Sequence, residues 1–229
     1  KNFFPNKILS ISNKFITSLA TLMILIVFIG LIYALFISPP DYIQGDSVRI
    51  MYVHVPSSFI SLGCFAFIGV ASIVNLIFKI KFMPLMAKRL APVGCIFTLV
   101  SIVTGSLWGK PTWGTWWAWD ARITSMLILA LFYSMYLLSW RIFENKEQVI
   151  KITSIIAIVG AINIPIIKFS VDWWPTLHQG ASITILSKTS IHSSMLIPLA
   201  IMTAAFALFS LLIFLMKYNT ELIKIKNKG

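Results

Sequence analysis

The sequence predicts an all-α integral membrane protein, a bundle of six transmembrane helices with both termini in the cytoplasm. Two observations predict this fold class. The composition is 58% hydrophobic and only 11% charged, with a mean hydropathy of +0.89, whereas roughly a quarter of the residues in a soluble domain are charged. Six uncharged stretches also approach the length of about 20 residues that crosses a bilayer. We interpret residues 1–229 as a single six-span membrane domain.

The six predicted spans contain few helix-breaking residues. Pro56 opens the second span, and Pro165 and Pro198 lie inside later spans, where neighbouring helices can satisfy the freed carbonyls, so we expect kinks rather than breaks. The fifth span is short, but Lys151 and Lys168 at its ends can extend their charges into water. The spans are predicted at about residues 15–37, 55–78, 90–108, 123–140, 152–167 and 193–216.

Positive charge is unevenly distributed between the two sides of this bundle. Of the 19 Lys and Arg residues, 14 fall on the side that carries both termini and five fall on the other side. The positive-inside rule assigns the richer side to the cytoplasm. We therefore interpret the net charge of +12 as a topology signal with some contact to anionic membrane lipid, and not as a sign of nucleic-acid binding.

Chemically distinctive residues collect on the predicted outer side. All three histidines lie there, and seven of the eight tryptophans lie there or at its boundary. They occupy a tryptophan-rich outer loop at residues 109–122 and a histidine-bearing outer loop at residues 168–192, with further members at the ends of the second and third spans. An interfacial aromatic belt would place tryptophans at both interfaces, and it remains the alternative for Trp108 and Trp140. The bias of the others to one side favours an exposed aromatic platform.

Indoles beside glycines suit a large, flat, apolar ligand, and haem is the candidate because its iron binds imidazole. His54 and His178, from separate segments, could supply both axial positions, although each could instead be a solvated or capping residue. His192 has no aromatic neighbour and is the weaker candidate. The chain has no C-x-x-C-H motif, so haem would be bound non-covalently, as b-type haem. The predicted platform is Trp113, Gly114, Trp116, Trp117, Trp119 and Asp120.

Outer cations could pair with the haem propionates, and arginine can do so with two parallel hydrogen bonds. The candidates are Arg49, Arg122 and Lys110. Arg122 could instead pair with Asp120 or simply mark the start of the fourth helix. We expect Asp120 to orient the loop or to cap that helix, and not to bind iron.

Three segments carry a resemblance to a known family. The stretch WGKPTWGTWWAWDAR at residues 108–122 resembles the W-G-x-x-W-x-W-D signature of the tryptophan-rich haem-handling membrane proteins. More narrowly, YVHVP at residues 52–56 and TLHQG at residues 176–180 resemble the histidine segments of the cytochrome c maturation protein C family, also called haem exporter protein C. Six spans with both ends inside is the architecture of that family, so the resemblance covers essentially the whole chain.

The resemblance implies that haem is held at the outer face with His54 and His178 as axial ligands, and is handed to a membrane-anchored haem chaperone during c-type cytochrome biogenesis. It implies three kinds of partner: ABC transporter ATPase subunits, ABC transporter membrane subunits and a small single-span subunit. The sequence has no G-x-x-x-x-G-K-[ST] phosphate loop, so any ATP use belongs to a partner. We expect haem transport rather than enzyme activity, in the bacterial inner membrane or alternatively the mitochondrial inner membrane.

Two other functions fit part of the sequence. A cytochrome c synthetase-like subunit shares the tryptophan-rich loop but has more spans and has histidines within the membrane. A membrane channel or transporter with an aromatic outer gate would gain support from charges inside the spans. The six predicted spans contain no Asp, Glu, Lys or Arg, which disfavours the channel.

Overall fold

The computed structural model describes residues 4–80, 82–180, 189 and 191–226, with side chains described from residue 14 to residue 224. This part of the chain is helical and has no β-strand, which confirms the all-α class. Six helical segments in it are long and apolar enough to span a membrane, as predicted. The chain ends and residues 181–188 of the predicted loop at 168–192 lie outside the described residues, so the cytoplasmic position of both termini stays a prediction.

The six spans are formed by seven α-helices because the fifth span is interrupted at Ile162. Pro165 explains the interruption, since its ring clashes with the carbonyl four residues earlier and it has no N–H to donate. Pro56 and Pro198 lie inside continuous helices. The helices are α1 (Phe4–Ile32, followed by a π-helical turn, Tyr33–Ile37), α2 (Met51–Phe78, preceded by a 3-10 turn, Asp46–Ile50), α3 (Met83–Trp113), α4 (Ala121–Ile142), α5 (Lys146–Ala161), α6 (Asn163–Trp173) and α7 (Ser193–Lys226).

The described helices extend beyond the predicted spans, and three of these extensions reach into the predicted outer segments. α2 begins before His54 rather than after it, α3 continues to Trp113, and α5 with α6 covers residues 146–173. The prediction admitted only stretches without Asp, Glu, Lys or Arg, but the helices continue through Lys110 and Lys168 because long cationic side chains can reach the interface from inside a helix. The connection between α3 and α4 is therefore residues 114–120, a correction to the predicted loop at 109–122.

Helix α2 lies at the centre of the bundle. It packs against α3, α5 and α7, while α1 packs on α7 and α4 packs on α3, α5 and α6. In the larger core the rings of Phe65 and Tyr133 meet edge to face with centroids 4.8 Å apart, and the Tyr133 hydroxyl donates to the Ser61 carbonyl at 2.8 Å. A Cβ at Gly94 would lie 2.0 Å from that hydroxyl oxygen, so this glycine allows α3 and α4 to approach closely.

A smaller core fixes the start of α2. Tyr52, Leu199 and Met202 are buried where α2 meets α7. The Tyr52 hydroxyl is hydrogen-bonded to the hydroxyl of Ser38, at the end of the π-helical turn. Because Tyr52 is held on two sides, the neighbouring turn of α2, which carries His54, has a fixed orientation.

Candidate functional site

His54 lies in the first turn of α2, and its side chain faces α3. Its Nδ1 is 3.0 Å from the carbonyl oxygen of Ser101 and 3.2 Å from the hydroxyl of Thr104. A carbonyl oxygen can only accept, so Nδ1 carries the hydrogen and Nε2 carries the lone pair. The hydrogen bond therefore selects the tautomer that can bind a metal through Nε2.

The imidazole of His54 also packs closely against the backbone of α3. A Cβ at Gly105 would lie 3.0 Å from Cε1 of His54, so glycine leaves the space that the ring occupies. The indole of Trp108 meets the same ring edge on, with centroids 5.8 Å apart. Trp108 is itself held by a 2.7 Å hydrogen bond from its Nε1 to Gln44. His54 is thus fixed between two helices and one indole.

His178 follows α6 in the segment that leads towards α7. Its Nδ1 is 3.1 Å from Oδ2 of Asp120, and the Thr176 hydroxyl donates to the same oxygen. The Thr176 hydroxyl oxygen also accepts from the backbone N–H of His178 at 3.1 Å. The two ionisable side chains are largely buried, with 18% of His178 and 7% of Asp120 exposed. Thr176 and Asp120 therefore hold the imidazole in one orientation.

Asp120 is ionised and His178 is neutral near pH 7. Burial alone would raise the pKa of Asp120, but hydrogen bonds from the Ile123 amide, Thr176 and His178 outweigh it and lower the pKa below its ordinary value. Burial lowers the pKa of His178, although the Asp120 carboxylate partly offsets that effect. An ionised carboxylate can only accept, so Nδ1 of His178 donates and Nε2 carries the lone pair.

Both predicted ligands lie against the last turns of α3. His54 contacts Gly105 and Trp108, and the ring of Trp113 lies 4.7 Å from that of His178 between centroids. Trp108 and Trp113 are about 7.5 Å apart along the helix axis, so both histidines contact the same end of α3. The structure therefore brings together two histidines that are 124 residues apart in sequence.

His192 is placed differently from the other two histidines. It is exposed, and its Nδ1 forms a 2.8 Å hydrogen bond with the hydroxyl of Ser194 in the first turn of α7. The amide of Ser194 also donates to this nitrogen, at 3.3 Å. These contacts make His192 a local capping residue at the start of α7.

The tryptophan-rich loop begins where Gly114, at a φ of 77°, ends α3 and donates its N–H to the Lys110 carbonyl. Trp116 and Trp119 are 55% and 78% exposed. Trp119 meets Trp117 at an interplanar angle of 72°, with centroids 5.5 Å apart. The predicted platform is therefore an edge-to-face cluster with exposed rings rather than a single flat surface.

One polar atom of this cluster lacks a partner. The Nε1 of Trp117 is buried and has no hydrogen-bond acceptor among the described residues. A buried donor without an acceptor costs about 1–3 kcal/mol. An open pocket of about 370 Å³ lies in the same loop, between residues 118–120 and residues 175–177. A ligand that carries an acceptor group, such as a haem propionate, would fit these features.

The chain matches the family described as "Heme exporter protein C" over residues 2–228. It belongs to the haem exporter protein C family. Relatives of that name include proteins from Haemophilus influenzae, 43% identical over 90% of this chain and 83% of the relative, and Bradyrhizobium diazoefficiens, 40% identical over 96% and 83%. A cytochrome c biosynthesis ccmC-like mitochondrial protein of Marchantia polymorpha is 44% identical over 80% of this chain and 78% of its own length. The predicted resemblance is confirmed, and the relatives include bacterial proteins and one that is named mitochondrial.

In this member of the haem exporter protein C family, Arg49 connects α1 to the turn before α2. Its Nε pairs with Asp46 at 2.9 Å, and its Nη1 donates to the Ala34 carbonyl at 2.8 Å. That carbonyl needs a side-chain donor because Pro39 has no N–H and the Ser38 N–H donates to Tyr33 instead. Arg49 thus has a structural role at the outer end of α1, and its contact with a propionate stays a prediction.

The other two cation candidates also hold outer segments together. Arg122 donates from Nε to the Ser170 hydroxyl at 3.3 Å and from Nη2 to the Lys168 carbonyl at 3.2 Å, which joins α4 to α6. Lys110 donates to the Gly114 carbonyl at 3.1 Å and lies over the Trp116 ring at 5.9 Å. Their propionate contacts likewise stay predictions.

Of the residues that orient the two histidines, only Asp120 is among the predicted site residues; Ser101, Thr104, Gly105 and Thr176 are not. Ser101, Thr104 and Gly105 lie at positions i, i+3 and i+4, which is one face of α3. Small and polar residues on one face of an otherwise apolar helix indicate that a polar side chain of another segment packs there. Thr176 gave no comparable signal, because only the folded chain places it against Asp120.

Proposed function

We propose that this protein holds haem non-covalently at the outer face of the membrane, with His54 and His178 as axial ligands, and passes it to a membrane-anchored haem chaperone for c-type cytochrome biogenesis. Membership of the haem exporter protein C family supports the general role in haem export. The ligand assignment rests on one shared feature. In each histidine an acceptor fixes the hydrogen on Nδ1, so Nε2 presents its lone pair.

The two ligands differ in how rigidly they are held. His54 lies between α2 and α3 and donates to a backbone carbonyl, whereas His178 belongs to a segment between helices and donates to a carboxylate. A carboxylate partner makes an imidazole a stronger ligand, but this one can move when the loop moves. Exchange of His178 for a group on the chaperone therefore provides a route for release, while His54 keeps its place.

The tryptophan cluster contacts the cargo on the outer side. Trp113 already packs on His178, and Trp119 lines the pocket beside Asp120. When the loop opens to admit haem, the Nε1 of Trp117 can donate to a propionate, which supplies its absent acceptor. Exposure of Trp116 and Trp119 leaves an apolar edge on which a partner can dock.

The role is binding and transfer of haem rather than enzymatic turnover. The partners in this scheme are the ATPase and membrane subunits of an ABC transporter and a small single-span subunit. ATP hydrolysis belongs to the transporter, because the sequence has no phosphate-binding loop. Haem export then depends on a complex of which this chain supplies the haem-binding subunit.

Spectra of purified protein test the ligand assignment. Haem added to the wild type is expected to give a low-spin spectrum typical of two nitrogen ligands, and His54→Ala or His178→Ala should weaken it greatly. His192→Ala is the matched control and should bind haem normally. Unchanged spectra in the first two variants, or loss in the control, would show that the ligands are misassigned.

Two further measurements test the platform and the handover. Replacing Trp113, Trp116, Trp117 and Trp119 together should lower haem retention without preventing membrane insertion; normal retention would make the cluster a membrane anchor. Mixing the loaded protein with the purified chaperone should move the haem spectrum to the chaperone. Haem that stays on this protein in the presence of the complete complex would contradict the handover while leaving the binding site intact.

A further inference from the structure

A second pocket lies at the opposite end of the bundle from the histidines, between the start of α3 and the end of α4. Its volume is about 380 Å³. Its nearest lining residue on α3, Pro92, lies nine residues, or about 13.5 Å along the helix axis, from Ser101, which contacts His54. The lining residues are Lys88, Arg89, Pro92, Leu137, Trp140 and Arg141.

The charges in this pocket are unbalanced. Three cations line it, and the one ion pair found there among the described residues joins Nη2 of Arg89 to Glu221 of α7. Lys146 and Lys224 add further positive charge near Lys88. Like charges repel strongly at a membrane interface, where the effective dielectric constant is well below that of water. The pocket therefore favours an anion.

Hydrogen-bond donors in the pocket point to the same conclusion. The Nε of Arg89 is buried and has no acceptor among the described residues. The Nε1 of Trp140 is also buried, with the Tyr136 hydroxyl as its neighbour. The Lys88 ammonium lies 4.2 Å from the centroid of the Trp140 ring. Lys88 and Arg141 can contact an anionic oxygen in the pocket, whereas the buried donors of Arg89 and Trp140 would reach it only after their side chains move.

We propose that this pocket binds the phosphate group of an anionic membrane phospholipid. Arginine and lysine donors match phosphate oxygens, and Pro92 and Leu137 give the pocket an apolar wall against which an acyl chain can lie. On the adjoining surface of α4, Leu138 and Ile142 are 50% and 67% exposed. The distribution of positive charge predicts that this end faces the cytoplasm, where anionic lipids attract basic residues. The occupied site would hold α3 against α4 at the end remote from the haem site.

Lipid binding by the purified full-length chain tests the assignment. In neutral detergent, phosphatidylglycerol should bind, detected by native mass spectrometry, and should raise the melting temperature, whereas phosphatidylcholine should do neither. The variant with both Lys88→Gln and Arg141→Gln should lose affinity by about tenfold or more, because it removes two charged donors. Arg89 is left in place because it pairs with Glu221.

Lys151→Gln is the matched control, since Lys151 is an exposed cation of α5 outside the pocket. The control should bind phosphatidylglycerol like the wild type, and all variants should keep the haem spectrum. Equal lipid affinity in the double variant and the control would overturn the site. Protection by inorganic phosphate as strong as that by the phospholipid would overturn the lipid as the source of the phosphate.

Discussion

The carboxylate of Asp120 joins His178 to the first turn of α4. Its Oδ2 accepts from Nδ1 of His178 at 3.1 Å, and its Oδ1 accepts from the Ile123 amide at 2.9 Å. One side chain is thus both the N-cap of a membrane helix and the partner of a proposed iron ligand. The orientation of the imidazole therefore depends on where α4 begins.

Replacing this carboxylate by a carboxamide tests its role in positioning His178. Asp120→Asn should lower haem affinity by about 10- to 100-fold, the usual effect of removing a carboxylate partner from a ligating histidine. An asparagine still caps a helix well, so the melting temperature of the haem-free protein should change little. Haem titration followed by absorbance, beside a thermal melt, separates the two effects.

Asp172→Asn is the control for Asp120→Asn, since Asp172 is an exposed acid at the end of α6. It should leave haem affinity unchanged. If Asp120→Asn binds haem with wild-type affinity, Asp120 does not position His178. If affinity is unchanged and the melting temperature falls greatly, Asp120 serves only as a helix cap.

Gly105 is predicted to be essential for the position of His54. In Gly105→Ala the new Cβ would lie 3.0 Å from Cε1 of His54, so the ring must shift by a few tenths of an ångström from its position beside the Ser101 carbonyl. We expect a several-fold loss of haem affinity in a correctly folded protein. Gly63→Ala in α2 is the control, because nothing lies within 4 Å of its Cβ; it should bind haem normally. Equal haem affinity in the two variants would contradict the close packing of His54.

Much of the fold follows from the sequence because membrane spans are governed by length and hydrophobicity. The positions at which the spans end do not follow from length and hydrophobicity, as α3 shows. Its apolar stretch ends at Trp108, yet the helix continues through Lys110 and Pro111 until Gly114 adopts a left-handed conformation. Local capping geometry, rather than hydrophobicity, sets that end.

The candidate site was predictable in its residue types but not in its internal contacts. Histidines beside tryptophans on one predicted side of the membrane predict a haem ligand set from residue type and position in the chain. The partners of those histidines come from α3 for His54 and from the start of α4 for His178. Such contacts depend on helix rotation and loop path, which a single sequence leaves open.

The low pKa of His178 predicts how the site responds to acid. Burial disfavours the protonated form of His178. Its pKa in the folded protein therefore lies below the ordinary value of 6.5 that applies to the unfolded chain. Between those two values the unfolded chain binds more protons, and lowering the pH destabilises the protein. Ring NMR titration of the haem-free protein, assigned with His178→Ala, should give a midpoint below 6.5. A midpoint at or above 6.5 would contradict a neutral, buried ligand.

The indole nitrogen of Trp117 gives a test that separates an effect on haem binding from an effect on stability. Trp117→Phe keeps an aromatic ring and removes the buried N–H that has no acceptor among the described residues. Removing such a donor relieves a cost of about 1–3 kcal/mol, which offsets the smaller ring, so the haem-free protein should melt near the wild-type temperature. If Nε1 donates to a propionate, haem affinity should nevertheless fall several-fold. Trp119→Phe, at a ring that is 78% exposed, is the control and should retain more haem. Lower stability with unchanged haem affinity in Trp117→Phe would instead give Trp117 a packing role alone.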